Sequence, residues 1–344
     1  MQFHRTIIAM LLALCGAATV SAAPLRICAT TPDVGSLARA VGGDQASVTV
    51  FAKGTESAHF VEPRPSFIKQ LSRADLYIQT GLELEIGWAP KLLQNSRNGK
   101  VQPGAPGYLD ASTAITPMEV PTTTVDRSMG DVHPLGNPHY LVDPINGLKV
   151  AKLIDERLDA LRPQAKASFD ANFAHFQKDV FTHLLGAGLV DKYGPANCYK
   201  LAALAKAGKL VSFLKSQNQS GLLGGWVKAM LPAYGVKVVT GHKEWVYFSA
   251  RFGLDIVGSM EPKPGVTPTT KHLQELVQQM KTQHVPIVIN TVYFDPRYAR
   301  FVAQETGAKI MDGAHLPGAE PGTDDYIPWI DYNVKQVVAA LGGK

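Results

Sequence analysis

Cysteine is scarce in this 344-residue chain, which carries only Cys15, Cys28 and Cys198. No two of them stand in a CxxC spacing, and this excludes thiolate zinc ribbons, thioredoxin-like redox sites and disulfide scaffolds. A single bridge between Cys28 and Cys198 is allowed in an oxidising compartment, although Cys28 reads as a core position of the first strand. Long apolar runs are missing too, since no stretch approaches the roughly 20 residues that a membrane helix needs. There is no HExxH, GxSxG or Walker loop, no internal repeat and no heptad. Charge is modest and spread out, with 34 basic and 29 acidic residues giving +5 and no arginine-rich stripe. Nucleic acid is therefore not an expected partner.

The chain opens with basic Met1–Arg5, an apolar run from Thr6 to Val20, and small residues at Ser21, Ala22 and Ala23. This is the pattern of a cleavable export signal covering residues 1–23, with the mature chain starting near Ala23 or Pro24 in a periplasm. Cys15 raises the alternative of a lipid anchor, but Leu14 stands before it where lipid attachment needs a small residue, so ordinary cleavage is the expected route.

What remains alternates between short apolar runs and helical patterns. LRICAT, ASVTVF and DLYIQT read as strands, and DVGSLARAVG, PSFIKQLSRA and ELEIGWAPKLLQNS as helices, the βαβ rhythm of a parallel sheet covered on both faces. Residues 113–145 lose this period under Pro117, Pro121, Pro134, Gly136 and Pro138, which predicts a long irregular loop. A helix is expected from about Asn146 to Leu161 and a second from about Gln164 to Leu185, where Phe169, Phe173, Phe176, Val180 and Leu184 recur on one face. After short helices through Leu231 the alternation resumes with VKVVT, LDIVG, VPIVIN and AKIMD as strands. The fold class expected is α/β, with two doubly wound lobes at residues 24–162 and 187–344. A connecting backbone helix at 163–186 joins them, and a metal site lies in the cleft between them.

Four side chains stand where strands end or helices begin: His59, His139, His242 and Asp324. Taken singly each has an ordinary explanation, such as a solvated loop histidine or a carboxylate facing a helix dipole. Taken together, two from each lobe, they supply the nitrogen and oxygen donors that zinc accepts at about 2.0–2.2 Å. Glu62, Asp143 and Glu244 are candidates to orient the imidazoles. His133, with Asp126 and Asp131 nearby, reads as a loop residue.

The order of HFVEPRPS, NPHYLVDP, GHKEWVYFSARFGL, EPKPGVTPT, YFDPR and GTDDYIPWIDYN resembles the solute-binding proteins of zinc and manganese ABC importers, the ZnuA/TroA-like group. That resemblance spans essentially the whole mature sequence. It implies a monomeric, non-enzymatic protein with ligands at His59, His139, His242 and Asp324, and with Zn2+ as transported ligand. Its implied partners are an inner-membrane ABC permease with its cytoplasmic ATPase, and possible delivery by a periplasmic zinc chaperone. Histidine at position 242 favours zinc, because manganese binders of this group carry a carboxylate there. The histidine-rich acidic loop of many zinc members is missing. A manganese or iron binder of the same class is the alternative, and a secreted zinc hydrolase using Glu244 as base is a remote one. An adhesin or metallochaperone is a third possibility that no repeat or low-complexity tract supports.

Overall fold

The computed structural model describes residues 23–123, 125, 130 and 132–342. Residues 1–22 of the expected signal segment, with Cys15, and Asp126 and Asp131 lie outside the described residues. Cys28 and Cys198 are both buried and free.

The first lobe runs β1 (Leu25–Ala29), α1 (Pro32–Gly42), β2 (Ala46–Val50), α2 (Pro65–Leu71), β3 (Leu76–Gln79), α3 (Ala89–Ser96) and β4 (Tyr108–Asp110). Four helices follow: α4 (Pro144–Leu161), α5 (Lys166–Leu185), α6 (Ala187–Lys206) and α7 (Leu210–Ser216). The second lobe continues with α8 (Gly225–Ala229), β5 (Lys237–Thr240), α9 (Val246–Phe252), β6 (Asp255–Ser259), α10 (Thr270–Gln283), β7 (Ile287–Thr291), α11 (Pro296–Thr306), β8 (Lys309–Gly313) and α12 (Tyr326–Ala340). Proline at the first helical position opens α1, α2, α4 and α11, where its fixed φ costs nothing and its missing N–H is not needed. Asp143 and Asp295 cap α4 and α11 by accepting the backbone N–H groups of Ile145 and Arg297.

Two departures from the sequence reading have local causes. The helix expected from Glu83 begins only at Ala89, because Gly81, Leu82 and Glu83 have φ of 86°, 52° and 65°. The Glu85 carboxylate accepts the N–H groups of Thr80 and Gly81 there and fixes a turn. Strand β4 went unseen because three residues are too few to show a period. Further on, α6 is broken at Gly194 (φ 71°, ψ 162°), one residue before Pro195.

All strand pairs are parallel, and the sheets share one order, β2-β1-β3-β4 and β6-β5-β7-β8. Each sheet changes direction beside its first strand, so each forms the crevice at its carboxyl edge where open α/β sheets hold ligands. These edges supply the site.

Helix α5, 20 residues and therefore about 30 Å long, runs between the lobes. Phe169, Phe176, Val180 and Leu184 are buried on it as the pattern predicts, with Phe181 and Leu185 added, while Phe173 is only partly buried. The apolar core is continuous across the lobes, joining Ile27 and Leu37 to Trp245 and Trp329. Polar contacts cross the same boundary. The Tyr326 hydroxyl donates to the Leu141 carbonyl at 2.6 Å, and the Tyr247 hydroxyl donates to that of Asn137 at 2.9 Å. Gly147 has no side chain because a Cβ there would meet the Tyr326 ring.

The strongest link is ionic. Arg251 of α9 donates through Nε and Nη2 to Asp143 at 2.7 and 2.9 Å, and through Nη1 to the Ala202 carbonyl at 2.9 Å. Both side chains are at most 5 % exposed. Removing one member of such a pair strands a buried charge. Arg251→Met should therefore lose about 3–5 kcal/mol of unfolding free energy. Asp143→Asn added to Arg251→Met, which removes the stranded charge and keeps a capping side chain, should recover part of it. Urea unfolding of both variants checks this, and a loss under about 1 kcal/mol in the single variant would show that the pair does not secure the lobes.

Candidate metal centre

His59 lies in the single turn Ala58–Phe60 after β2, held by the Trp88 indole N–H donating to the Ala58 carbonyl at 2.9 Å. His139 ends the long loop. Its backbone N–H donates to the Asn137 side chain at 2.9 Å, and the Asn137 amide donates across to the Lys243 carbonyl at 2.7 Å. The neighbour of His139 in sequence is thus tied to the neighbour of His242. His242 follows β5, where the backbone is extended and the ring faces the cleft from the second lobe. Its Nδ1 lies 2.8 Å from Glu261 Oε2, a carboxylate that also accepts the Gly265 N–H. A carboxylate only accepts, so the Nδ1 proton faces Glu261 and the lone pair sits on Nε2.

The three side chains converge, with one donor atom from each inside a 4.8 Å group. The Nε2 atoms of His59 and His139 are 3.3 Å apart. Ring centres of the three pairs are 5.1, 5.7 and 5.4 Å apart. Two imidazoles on one tetrahedral zinc, with Zn–N of about 2.0–2.1 Å, place their nitrogens about 3.3 Å and their ring centres about 5 Å apart. The spacing fits one ion.

Burial is the first cause that holds His59 and His139 well below their ordinary pKa, and the surrounding imidazoles add to it. His133 is pushed down to about 4 by burial and by His242, against an upward pull from its hydrogen bond to Leu82. His315 is lowered, again mainly by burial. Neutral imidazoles keep their lone pairs, which is the form a metal needs.

Asp324, expected as the fourth donor, is exposed and stands outside the 4.8 Å group. Its neighbour Asp325 turns to the first lobe and pairs with Arg39 at 3.5 Å. Of the candidate orienting carboxylates, Glu62 is exposed, Asp143 serves Arg251, and Glu244 is fully buried beneath His315. The partner of His242 is Glu261, which sequence reasoning missed. His133 lines the mouth beside His59, with ring centres 5.1 Å apart and its buried Nε2 without a hydrogen-bond partner among the described residues. His315 was also missed. It follows β8 and is 5 % exposed, with its ring centre 4.7 Å from that of His139. The rule that singled out His242, a donor just past a strand's carboxyl end, applies equally to it.

A second group of three donors, Asp155, Asp159 and Asp170, surrounds two lysines, Lys152 on Asp155 and Lys166 on the other two. Those ammonium groups already supply its counter-charge.

Comparison with known proteins places this geometry. The family description of ZnuA, "Zinc-uptake complex component A periplasmic", matches residues 27–182 and 223–340. The manganese ABC transporter substrate-binding lipoprotein PsaA of Streptococcus pneumoniae serotype 4 is 22% identical over 329 residues, covering 94% of this chain and 91% of that protein. The metal ABC transporter substrate-binding lipoprotein SsaB of Streptococcus sanguinis is 22% identical over 331 residues, covering 94% and 91%. Among solved structures, a ZnuA crystal structure superposes with a TM-score of 0.65 at 21% identity, covering 92% of this chain and 98% of that one. The laminin-binding protein Lmb of Streptococcus agalactiae, described as having adhesin and metal transporting activity, gives 0.65 at 20%, covering 92% and 99%. At these identities the structural likeness establishes the two-lobed fold. The family match covers most of the chain on both sides of α5, and so the chain belongs to the ZnuA family and is a substrate-binding protein of the metal ABC transporter class.

Proposed function

We propose that the protein captures Zn2+ in the periplasm through His59, His139 and His242 and delivers it to an ABC permease driven by a cytoplasmic ATPase. The observation that carries this reading is the convergence of three imidazoles, two from one lobe and one from the other, at ring spacings that suit one tetrahedral ion. Manganese prefers oxygen donors, whereas zinc accepts an all-nitrogen set. PsaA carries manganese in its name, and the donor set here is the argument for zinc in this chain.

Competitive titration of the mature apo-protein with Zn2+ and Mn2+ against a calibrated chelator tests the reading. One Zn2+ per chain, bound at least about 100-fold more tightly than Mn2+, is expected, and replacing all three histidines by alanine should abolish it. Unchanged zinc binding in that variant would refute the site, while a preference for Mn2+ would refute the choice of metal.

The same titration has a characteristic pH profile. A free histidine with pKa of about 6.5 would weaken metal binding about tenfold between pH 7.5 and 5.5, because protons compete for its lone pair. Burial holds His59 and His139 well below that value, so protons compete less for their lone pairs than for those of a free histidine. Their joint contribution to the loss should be far less than the roughly 100-fold that two free histidines would give. A full loss of that size attributable to these two positions would show that they titrate freely.

Export follows from residues 1–23, and we place cleavage near Ala23 or Pro24. Intact mass of the exported protein should correspond to a chain starting there, whereas a lipid-modified Cys15 would place it on a membrane anchor instead.

A further inference from the structure

We propose that Glu85 is the residue that positions both first-lobe imidazoles, holding the seat of His59 on one side and the anchor of His139 on the other. This inference rests on the metal site proposed above and concerns what fixes its geometry. Glu85, 3 % exposed and outside the three-histidine group, lies in the turn between β3 and α3. Its carboxylate accepts the Thr30 hydroxyl at 2.6 Å and the backbone N–H groups of Thr80 and Gly81 at 2.7 and 3.1 Å. Thr30 stands just past β1 and Thr80 just past β3, which pair with each other. One side chain thus ties the ends of the two central strands to the turn.

That turn needs the tie. Gly81, Leu82 and Glu83 follow one another at φ of 86°, 52° and 65°, and left-handed backbone at two residues that carry side chains is unfavourable unless neighbouring bonds hold it. Three donors converging on two oxygens suit a carboxylate, whereas an amide in its place would turn an NH2 towards one of them. Burial, with the like charge of Asp110 adding to it, pushes the Glu85 pKa up to about 7 against the pull of the three bonds. A carboxylate kept where burial opposes its charge marks a place whose geometry matters.

Two routes lead from it to the imidazoles. Along the chain, the Glu85 carbonyl accepts the N–H groups of Trp88 and Ala89 at 3.1 and 3.0 Å, and the Trp88 indole donates to the Ala58 carbonyl at 2.9 Å, one residue before His59. Leu84, next to Glu85, packs in the same cluster as Ala58. The second route crosses to the long loop through one peptide group. Its N–H, that of Gly81, is held by Glu85, and its oxygen, that of Thr80, accepts the hydroxyl of fully buried Tyr140 at 2.6 Å. A planar peptide clamped at both ends cannot rotate, and Tyr140 directly follows His139. His242 is served separately by Glu261, so the Glu85 network governs the first-lobe pair.

The test measures Zn2+ affinity of the mature full chain by chelator competition. Loss of stability alone does not change the affinity of chains that stay folded, so variants whose apo form is folded by circular dichroism separate positioning from folding. Glu85→Ala should weaken Zn2+ about 10–100-fold, as expected for a residue that orients ligands. Glu85→Gln, whose amide oxygen still accepts from Thr30 and Thr80, should lose less than about tenfold. Trp88→Phe and Tyr140→Phe each remove one downstream donor and should each lose about 3–10-fold. Added to Glu85→Ala, either should cost no more than about a further twofold, because the route is already broken. Full additivity would overturn the proposal. So would affinity within about threefold of wild type in Glu85→Ala or, if that variant does not fold, in both Trp88→Phe and Tyr140→Phe. If zinc binding is then still lost in the variant lacking His59, His139 and His242, the metal site stands without the Glu85 role. Retention of zinc by that triple variant would sink both.

Discussion

The buried pair of Arg251 and Asp143 is the constraint on which the site geometry depends. Asp143 caps α4 of the first lobe, and Arg251 lies on the helix that follows His242 in the second. One guanidinium therefore fixes the distance between the segment that carries His139 and the strand end that carries His242. Such a pair adds little net stability over well-packed apolar residues, but its geometry is demanding because any displacement leaves a charge unsolvated. Tyr247 and Asn137 refine the same register, the tyrosine by donating to the Asn137 carbonyl and the asparagine by bonding the Lys243 carbonyl. Preorganisation of the imidazoles is achieved by residues outside the three-histidine group.

That rigidity explains how several histidines can crowd one cleft. Protonated imidazoles at ring separations near 5 Å would repel strongly in a medium from which water is largely excluded, and burial already disfavours each charge. The cluster resolves the conflict by staying neutral, which lowers the pKa values and leaves uncharged nitrogen donors facing one another. Neutral nitrogens at 3.3 Å have no good partner except a shared proton or a cation. A divalent ion satisfies several of them at once, so the same desolvation that keeps the apo site uncharged increases the gain on loading.

Much of the architecture was legible because parallel strands buried on both faces read as apolar runs and their helices show a 3.6-residue period. The convergence of His59, His139 and His242 was legible in part, since His59 and His242 follow strands at the ends that the topological rule for open sheets names, while His139 stands at the end of the long loop just before a helix. What could not be read depends on contacts distant in sequence. Nothing near Arg251 signals that its partner is 108 positions away, and Glu261 joins His242 only because β6 lies beside β5. His315 sits in a run of small residues that reads as a loop, and its partner Tyr293 comes from another strand end. Asp324 drew attention through its place in a motif, yet local geometry leaves it exposed while Asp325 reaches Arg39.

On the proposed function a site this well secured must still release its ion, and the energetics separate two routes. Swinging the lobes apart would break the Arg251 pair, lose the Tyr247 and Tyr326 hydrogen bonds at about 0.5–1.5 kcal/mol each, and expose the aromatic core along α5. Displacing the turn that carries His59 is less costly. It is covered by a small separate cluster of Ala58, Leu84 and Leu316, where uncovering a leucine costs about 1.5–3 kcal/mol even at full exposure. Gly54, four residues before that turn, is approached by the backbone of Pro317–Ala319 so tightly that no Cβ fits there. Phe60 and Ile86 stand exposed on the same rim. The element of least cohesion therefore holds the one proposed ligand of the three that is only partly buried, so on the proposed function an outward path past His59 and His133 costs less than one through the seam between the lobes.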